Sequence, residues 1–182
     1  TAAQPNNKSI PAVISPNVNI YTIIVTYNGM QWVDACFGSL RGSTVPLHTV
    51  VVDNGSTDGT PQRIAERFPE VHLIRSDDNG SARDEAALLR ERYPDIVVLR
   101  SDENLGFGRG NNVGIRYALG QGATHFFLLN QDAWIYPDTV ERLLGAEDDR
   151  SGILSPVHLD GSAERMDEAF KRYLFGDAAA TR

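Results

Sequence analysis

The chain has 182 residues, enough for one domain with a real hydrophobic core. Its hydrophobic fraction of 41% and charged fraction of 23% are those of a globular protein. The net charge of −7 argues against a nucleic-acid binder, which needs a basic surface. An acidic protein that takes a phosphorylated ligand needs a local cation, most simply a divalent metal. Cys36 is the sole cysteine, so no intrachain disulfide is possible. No apolar run is long enough to span a bilayer.

Residues 1–19 contain three prolines and lack the pattern of a signal peptide, so they read as a flexible leader. From Ile20 the pattern is regular. Tyr21 to Val25 is β-branched and apolar, a buried strand. Met30 to Arg41 carries Val33, Cys36, Phe37 and Leu40 at helical spacing, with Trp32 expected to pack in the same helix. Leu47 to Val52 is a second buried strand, followed by the turn-rich loop Asp53 to Gly59. Thr60 is the expected cap of a helix that has Pro61 at its first position and ends near Phe68. Val71 to Ile74 and Ile96 to Leu99 read as strands around a helix over Ala82 to Tyr93. A glycine-rich turn from Gly106 leads into a helix reaching Leu119. His125 to Leu129 is expected to be a buried strand, Pro137 to Leu144 a helix, Ile153 to Val157 one more strand, and Ala163 to Leu174 a final helix. Alternating strands and helices predict an α/β architecture of βαβ units.

Residues 66–79 and 91–104 nearly repeat, with seven of fourteen paired positions identical. A local duplication that adds one helix and one strand to the sheet is the favoured reading, against chance similarity between two helix–Pro–strand junctions. Two copies are too few for a solenoid.

In open α/β sheets, ligands bind beyond the carboxyl ends of the strands. Here those ends hold Thr26, Tyr27 and Asn28 after the first strand, Asp53 after the second, and Asn130-Gln131-Asp132 after the strand at 125–129. Asp53 has two available roles. It can accept a hydrogen bond within its own turn, or it can accept from a nucleobase N–H or a ribose hydroxyl. Asp58 is a weaker candidate that can simply support the turn. Asp132 suits a hard cation, since magnesium sites use one or two carboxylates plus substrate phosphates. Asn130 and Gln131 can hydrogen-bond around that metal or a sugar. Gly106, Gly108 and Gly110 leave backbone accessible at a helix N-terminus, where an anion is favoured and Arg109 has a forked donor. The alternative is a plain strand–helix connection with Arg109 solvated. Trp134 can stack on a ring or pack on the next helix. His48, His72, His125 and His158 show no metal-ligand spacing.

Ile23-Ile24-Val25-Thr26-Tyr27-Asn28, Val51-Val52-Asp53-Asn54-Gly55-Ser56-Thr57-Asp58-Gly59, Glu103 to Asn112, and Leu128-Leu129-Asn130-Gln131-Asp132 occur in this order. Together they resemble the landmarks of family 2 glycosyltransferases, in the rhamnosyltransferase-like branch. The resemblance covers residues 20–160 as a nucleotide-sugar-binding domain. It leaves 161–182 as a helical tail, expected to begin a truncated acceptor half. It implies a GT-A fold, a Rossmann-like βαβ sandwich with a mostly parallel central sheet. It also implies inverting transfer from a nucleoside-diphosphate sugar to a glycan or lipid-linked acceptor, as in polysaccharide biosynthesis. The implied nucleotide-sugar contacts are Thr26, Tyr27, Asn28, Asp53, Arg109, Asn112 and Asn130. The implied cofactor is a divalent metal, Mn or Mg, on Asp132, the last acid of an Asp-x-Asp-like motif whose first position here is Asn130. No general base matches after Asp132, so it is expected outside this chain. The expected location is the cytoplasm or the inner face of a membrane. Two other functions compete. A sugar-phosphate nucleotidyltransferase needs a basic glycine-rich signature near the first strand, where Thr26-Tyr27-Asn28-Gly29 stands instead. A non-catalytic interaction domain would not respond to nucleoside diphosphates.

Overall fold

The computed structural model describes residues 17–68, 71–75, 96–100 and 104–175, with 71–75 and 96–100 followed as backbone only. Residues 1–16 of the expected leader, the helix over Ala82 to Tyr93 and much of the near-repeat lie outside these residues. The chain divides into two compact units, Thr1–Glu141 and Arg142–Arg182.

The first unit is built on five strands: β1 (Ile20–Thr26), β2 (His48–Asp53), β3 (Val71–Arg75), β4 (Ile96–Arg100) and β5 (His125–Leu128). Their order across the sheet is β3-β4-β2-β1-β5, and every pairing is parallel. The α/β class and parallel GT-A-type sheet expected from the sequence are therefore observed. A parallel sheet has to be covered on both faces, and the central strands show it. Ile23, Ile24, Val50, Val51 and Val52 are all wholly buried, although side chains alternate between faces along a strand. Tyr21, Ile23 and Val25 of β1 cluster with Val50 and Val52 of β2 and with Ala118 of helix α3 (Phe107–Gly120). The apolar stripes of α1 (Val33–Arg41) and α2 (Thr60–Arg67) are also buried, through Val33, Cys36, Phe37, Leu40 and Ile64. Phe37 meets Phe68 at 5.2 Å between ring centroids, and the Arg41 guanidinium lies over the Phe68 ring.

The order of the strands defines the site. After β1 the chain moves outward on one side through β2, whereas β5 adds on the other side of β1. The crevice between β1 and β5 is the point where the winding reverses, the place where such sheets take ligands. The motif loops after β1 and β5 flank it.

The near-repeat has a structural counterpart. Val71 pairs with Ile96, and the register continues to Arg75 with Arg100. Each residue lies beside the one 25 positions on, its equivalent in the second copy.

Several expectations change. Trp32 sits in a short 3-10 turn (Met30–Trp32) before α1 and is 40% exposed, because the helix proper begins only at Val33. Thr60 does not cap α2. The cap position is Gly59, at φ +90°, and the Asp58 carboxylate accepts from the Thr60 N–H. β5 is the outermost strand on its side, so Phe126 and Leu128 are 38% and 51% exposed rather than buried. The expected helix from Pro137 appears as α4 (Thr139–Gly145).

In the second unit, Ile153 to Val157 forms no strand. Pro156 lacks the N–H a ladder needs, and the one bridge there pairs Leu159 with Met166. The final helix is α5 (Glu168–Phe175), shorter than expected. Ala163 lies at φ +59° in a turn built on the Asp160 carboxylate, which accepts from Ser162 and Arg165. The helix begins where Asp167 accepts from the Phe170 N–H.

Candidate active site

Three loops meet at the carboxyl ends of the strands, and side-chain-to-backbone hydrogen bonds join them. The central one follows β1. On the β2 side, Ser56 Oγ accepts from the Asn28 N–H at 3.0 Å, and Asn28 Oδ1 accepts from the Thr57 N–H at 2.9 Å. Thr60 Oγ1 accepts from the Gly29 N–H at 2.9 Å, and Asp58 Oδ2 from the Met30 N–H at 3.1 Å. Asn28 itself has φ +49°, a left-handed conformation that asparagine tolerates better than most residues. Asp58 thus supports the turn, as its weaker reading suggested. Burial alone would push its carboxyl up, but hydrogen bonds from Thr60 and Met30 outweigh that and hold it below the usual range.

Thr26 and Asp53 are register partners at the ends of β1 and β2, and both are buried. Asp53 Oδ2 accepts from the Ser56 N–H at 3.2 Å, the turn-stabilising role open to it. Its Oδ1 has no hydrogen-bond partner among the described residues, and neither have Thr26 Oγ1 and Asn54 Oδ1. Buried polar atoms without partners are uncommon and costly. Here three lie at adjoining strand ends.

The N-terminus of α3 lies over the same ends. Asn54 Nδ2 donates to the Gly106 carbonyl at 3.4 Å, and a Cβ on Gly110 would come within 2.8 Å of Val25 Cγ1. The three glycines of this turn therefore differ. Gly106, at φ +75°, is the cap position, and Gly106 and Gly108 have open space around them. Gly110 is there for close packing on β1, which the accessible-backbone reading missed. No side chain caps the helix, and Arg109 and Asn112 are exposed in its first two turns.

On the other side of the crevice, Gln131 spans to the β1 loop. Its Oε1 accepts from the Tyr27 N–H at 3.1 Å and its Nε2 donates to the Tyr27 carbonyl at 3.3 Å. Asn130 and Asp132, on either side of it, are exposed. Beneath this loop Cys36 Sγ lies 3.9 Å from the Asn130 carbonyl. Burial, with a further contribution from the Asp132 carboxylate, pushes the Cys36 thiol up to about 12. The thiolate is the reactive form, so at pH 8 Cys36 is expected to alkylate at least ~100-fold more slowly than a free thiol near pKa 8.5. Iodoacetamide labelling followed by mass spectrometry checks this. Labelling of the native chain as fast as in urea would contradict the buried placement.

The structure thus brings Thr26, Tyr27, Asn28, Asp53 and the Asn130–Asp132 loop to one edge of the sheet, with the α3 start carrying Arg109 and Asn112 close to the β2 end. The exposed Asp132 carboxylate and Asn130 amide are oxygen donors suited to a hard cation. No group of three His, Cys, Asp or Glu side chains that could hold a metal occurs among the described residues. A cation here would therefore complete its shell with ligand oxygens and water. Of the described histidines, His48 stacks on Tyr21, His158 stacks on Phe170, and His125 Nδ1 lies 2.8 Å from Thr124 Oγ1. Among the described residues no helix is long and apolar enough to cross a membrane.

The family model described as glycosyl transferase family 2 matches residues 21–87 and 77–167, with the two stretches overlapping inside the near-repeated region. The dTDP-rhamnosyl transferase RfbF of Shigella flexneri is 29% identical over 146 residues, 79% of this chain and 40% of that protein. An N-acetylglucosaminyl-diphospho-decaprenol L-rhamnosyltransferase of Mycobacterium tuberculosis is 40% identical over 53 residues, 29% of this chain and 17% of that one. The chain therefore spans less than half the length of these relatives. Among solved structures, residues 1–349 of S. aureus TarS align at 21% identity and TM-score 0.48, over 69% of this chain and 31% of that one. The mannosyltransferase PcManGT of Pyrobaculum calidifontis, in complex with GDP-Man and Mn2+, aligns at 21% identity and TM-score 0.49, over 70% and 31%. With the family pattern matched across most of its length, the chain belongs to glycosyl transferase family 2.

Proposed function

We propose that this chain is the donor-binding part of an inverting, metal-assisted glycosyltransferase that takes a nucleoside-diphosphate sugar. The observation that carries the reading is the convergence of the family's three separate motif loops at the reversal point of the sheet. In this reading Thr26, Tyr27, Asn28 and Asp53 surround the nucleoside. The oxygens of Asp53 and Thr26 that have no partner among the described residues would accept from base N–H or ribose hydroxyl groups, once the loop after Asp53 gives way to expose them. The α3 start and Arg109 face the diphosphate, since helix N-terminal N–H groups and a guanidinium both favour an anion. Asn112 and Asn130 contact the sugar.

Asp132 would hold a divalent cation, Mn or Mg, which when bound supplies neutralisation of the diphosphate leaving group. This chain's residues orient the donor so that an acceptor hydroxyl, of a glycan or lipid-linked glycan, attacks the anomeric carbon opposite the diphosphate. The resulting inversion follows the logic of inverting glycosidases. The general base is assigned to no residue of this chain. Similarity to rhamnosyltransferases makes a rhamnose donor carried on thymidine diphosphate the first to try, and the cytoplasmic side of a membrane the place to look.

Thermal shift with dTDP, UDP and GDP, each with and without manganese, tests the proposal. A ligand at 100 times its Kd stabilises by about 2.7 kcal/mol, a shift of several degrees for a chain of this size. Failure of all three to raise the melting temperature in either condition would sink it.

A further inference from the structure

The Gln131 side chain is engaged in a way the motif reading did not foresee. A primary amide has one good acceptor and two donors. Here the acceptor takes the Tyr27 N–H and a donor gives to the Tyr27 carbonyl, so both backbone groups of one residue are answered by one side chain. The amide thereby acts as a one-residue strand added beside the β1 loop, across the crevice at the reversal point. Gly29 makes the space. A Cβ there would lie 2.1 Å from Gln131 Oε1 and 2.9 Å from Cδ, well inside contact. Gly29 has φ −108°, which any residue adopts, so its need for glycine is space and not backbone freedom.

The β1 loop is held on its other side by Ser56, Thr57, Asp58 and Thr60, independently of Gln131. Among the described residues, the loop bearing Asp132 has no such second set of side-chain ties to the β1 loop. We infer that Gln131, seated against Gly29, is a positioning residue that couples the nucleoside loop Tyr27–Asn28 to the metal-bearing residue Asp132, so that nucleotide and cation strengthen each other's binding through it. Its role in this inference is through Tyr27, which takes up its carbonyl oxygen and one of its two N–H groups, and not through a contact to the donor. The inference rests on the donor-binding reading above and deepens it.

The full chain tests the coupling, with calorimetry of whichever of dTDP, UDP and GDP binds best, in the absence and presence of manganese. Coupling between two sites commonly amounts to 5–150-fold. Gln131→Ala is expected to bind the nucleotide within about twofold of the parent chain without manganese, and to lose most of the manganese enhancement, on the order of 5-fold or more. Gly29→Ala, which evicts the amide while leaving Gln131 in place, is expected to do the same. Gln131→Glu keeps the acceptor for the Tyr27 N–H but opposes its carbonyl with a like partial charge, so it falls between. The enhancement surviving unchanged in Gln131→Ala overturns the inference. So does an equal loss with and without manganese, which would mark a contact to the nucleotide or a general loosening of the fold. A parent chain that binds none of the three nucleotides in either condition overturns the donor-binding reading instead, an outcome distinct from both.

Discussion

Manganese is expected to stop tightening nucleoside diphosphate binding in Asp132→Ala, with affinity in the presence of the metal falling about 10–100-fold to the metal-free level. The reason is the small number of ligands at this edge. Asp132 is an exposed carboxylate, and no three metal-binding side chains gather among the described residues. In the proposed reading the cation would draw part of its shell from the diphosphate, so metal and nucleotide would bind as a unit. Removing one carboxylate from so sparse a site would then remove the protein's hold on the ion. The same substitution takes away a charge that raises the Cys36 thiol, so cysteine labelling at pH 9 should quicken modestly while burial still restrains it. Titration by calorimetry, with and without manganese, reads the first effect. An undiminished manganese enhancement in Asp132→Ala would move the metal to other residues.

Gly114→Val is expected to lower stability by about 2 kcal/mol and the melting temperature by roughly 5 °C. Gly110, Gly114 and Ala118 recur every fourth residue along α3 and let its backbone lie close on the sheet. A Cβ on Gly114 would stand 2.6 Å from Ile23 Cγ2 and 3.4 Å from Val52 Cγ2. Both neighbours are wholly buried and β-branched, so neither has a free rotamer to retreat to. Overpacking of this kind costs about 1–3 kcal/mol and outweighs the fraction of a kcal/mol gained by removing a glycine from a helix. Gly38→Ala is the matched control. Gly38 lies within α1 with nothing within 4 Å of its added Cβ, so the exchange should stabilise by about 0.5–1 kcal/mol. Thermal denaturation followed by circular dichroism separates the two. A Gly114→Val chain that melts with the parent would mean α3 stands off the sheet.

The sequence by itself determined most of the elements and the sheet edge on which the candidate site residues lie. Periodicity decides whether a segment is a strand or a helix, so Tyr21–Val25, Leu47–Val52 and the Val33, Cys36, Phe37, Leu40 stripe were readable locally. Polar residues immediately after apolar strands placed Thr26 to Asn28, Asp53 and Asp132 at carboxyl ends for the same reason. Tertiary structure alone decided what these residues touch. The Gln131 amide answers Tyr27, over a hundred positions away, and Gly29 is small because that amide needs its space. Asp53 is buried with one oxygen held by Ser56 and the other without a partner among the described residues, a split invisible in a motif. Gly110, read as open backbone for a phosphate, packs on Val25. His125–Leu128 is as apolar as the central strands but lies at the side of the sheet, where Phe126 and Leu128 stay exposed. Local pattern records which residues prefer to be covered. Which distant segment does the covering depends on strand order and register, and those emerge only when the whole sheet assembles.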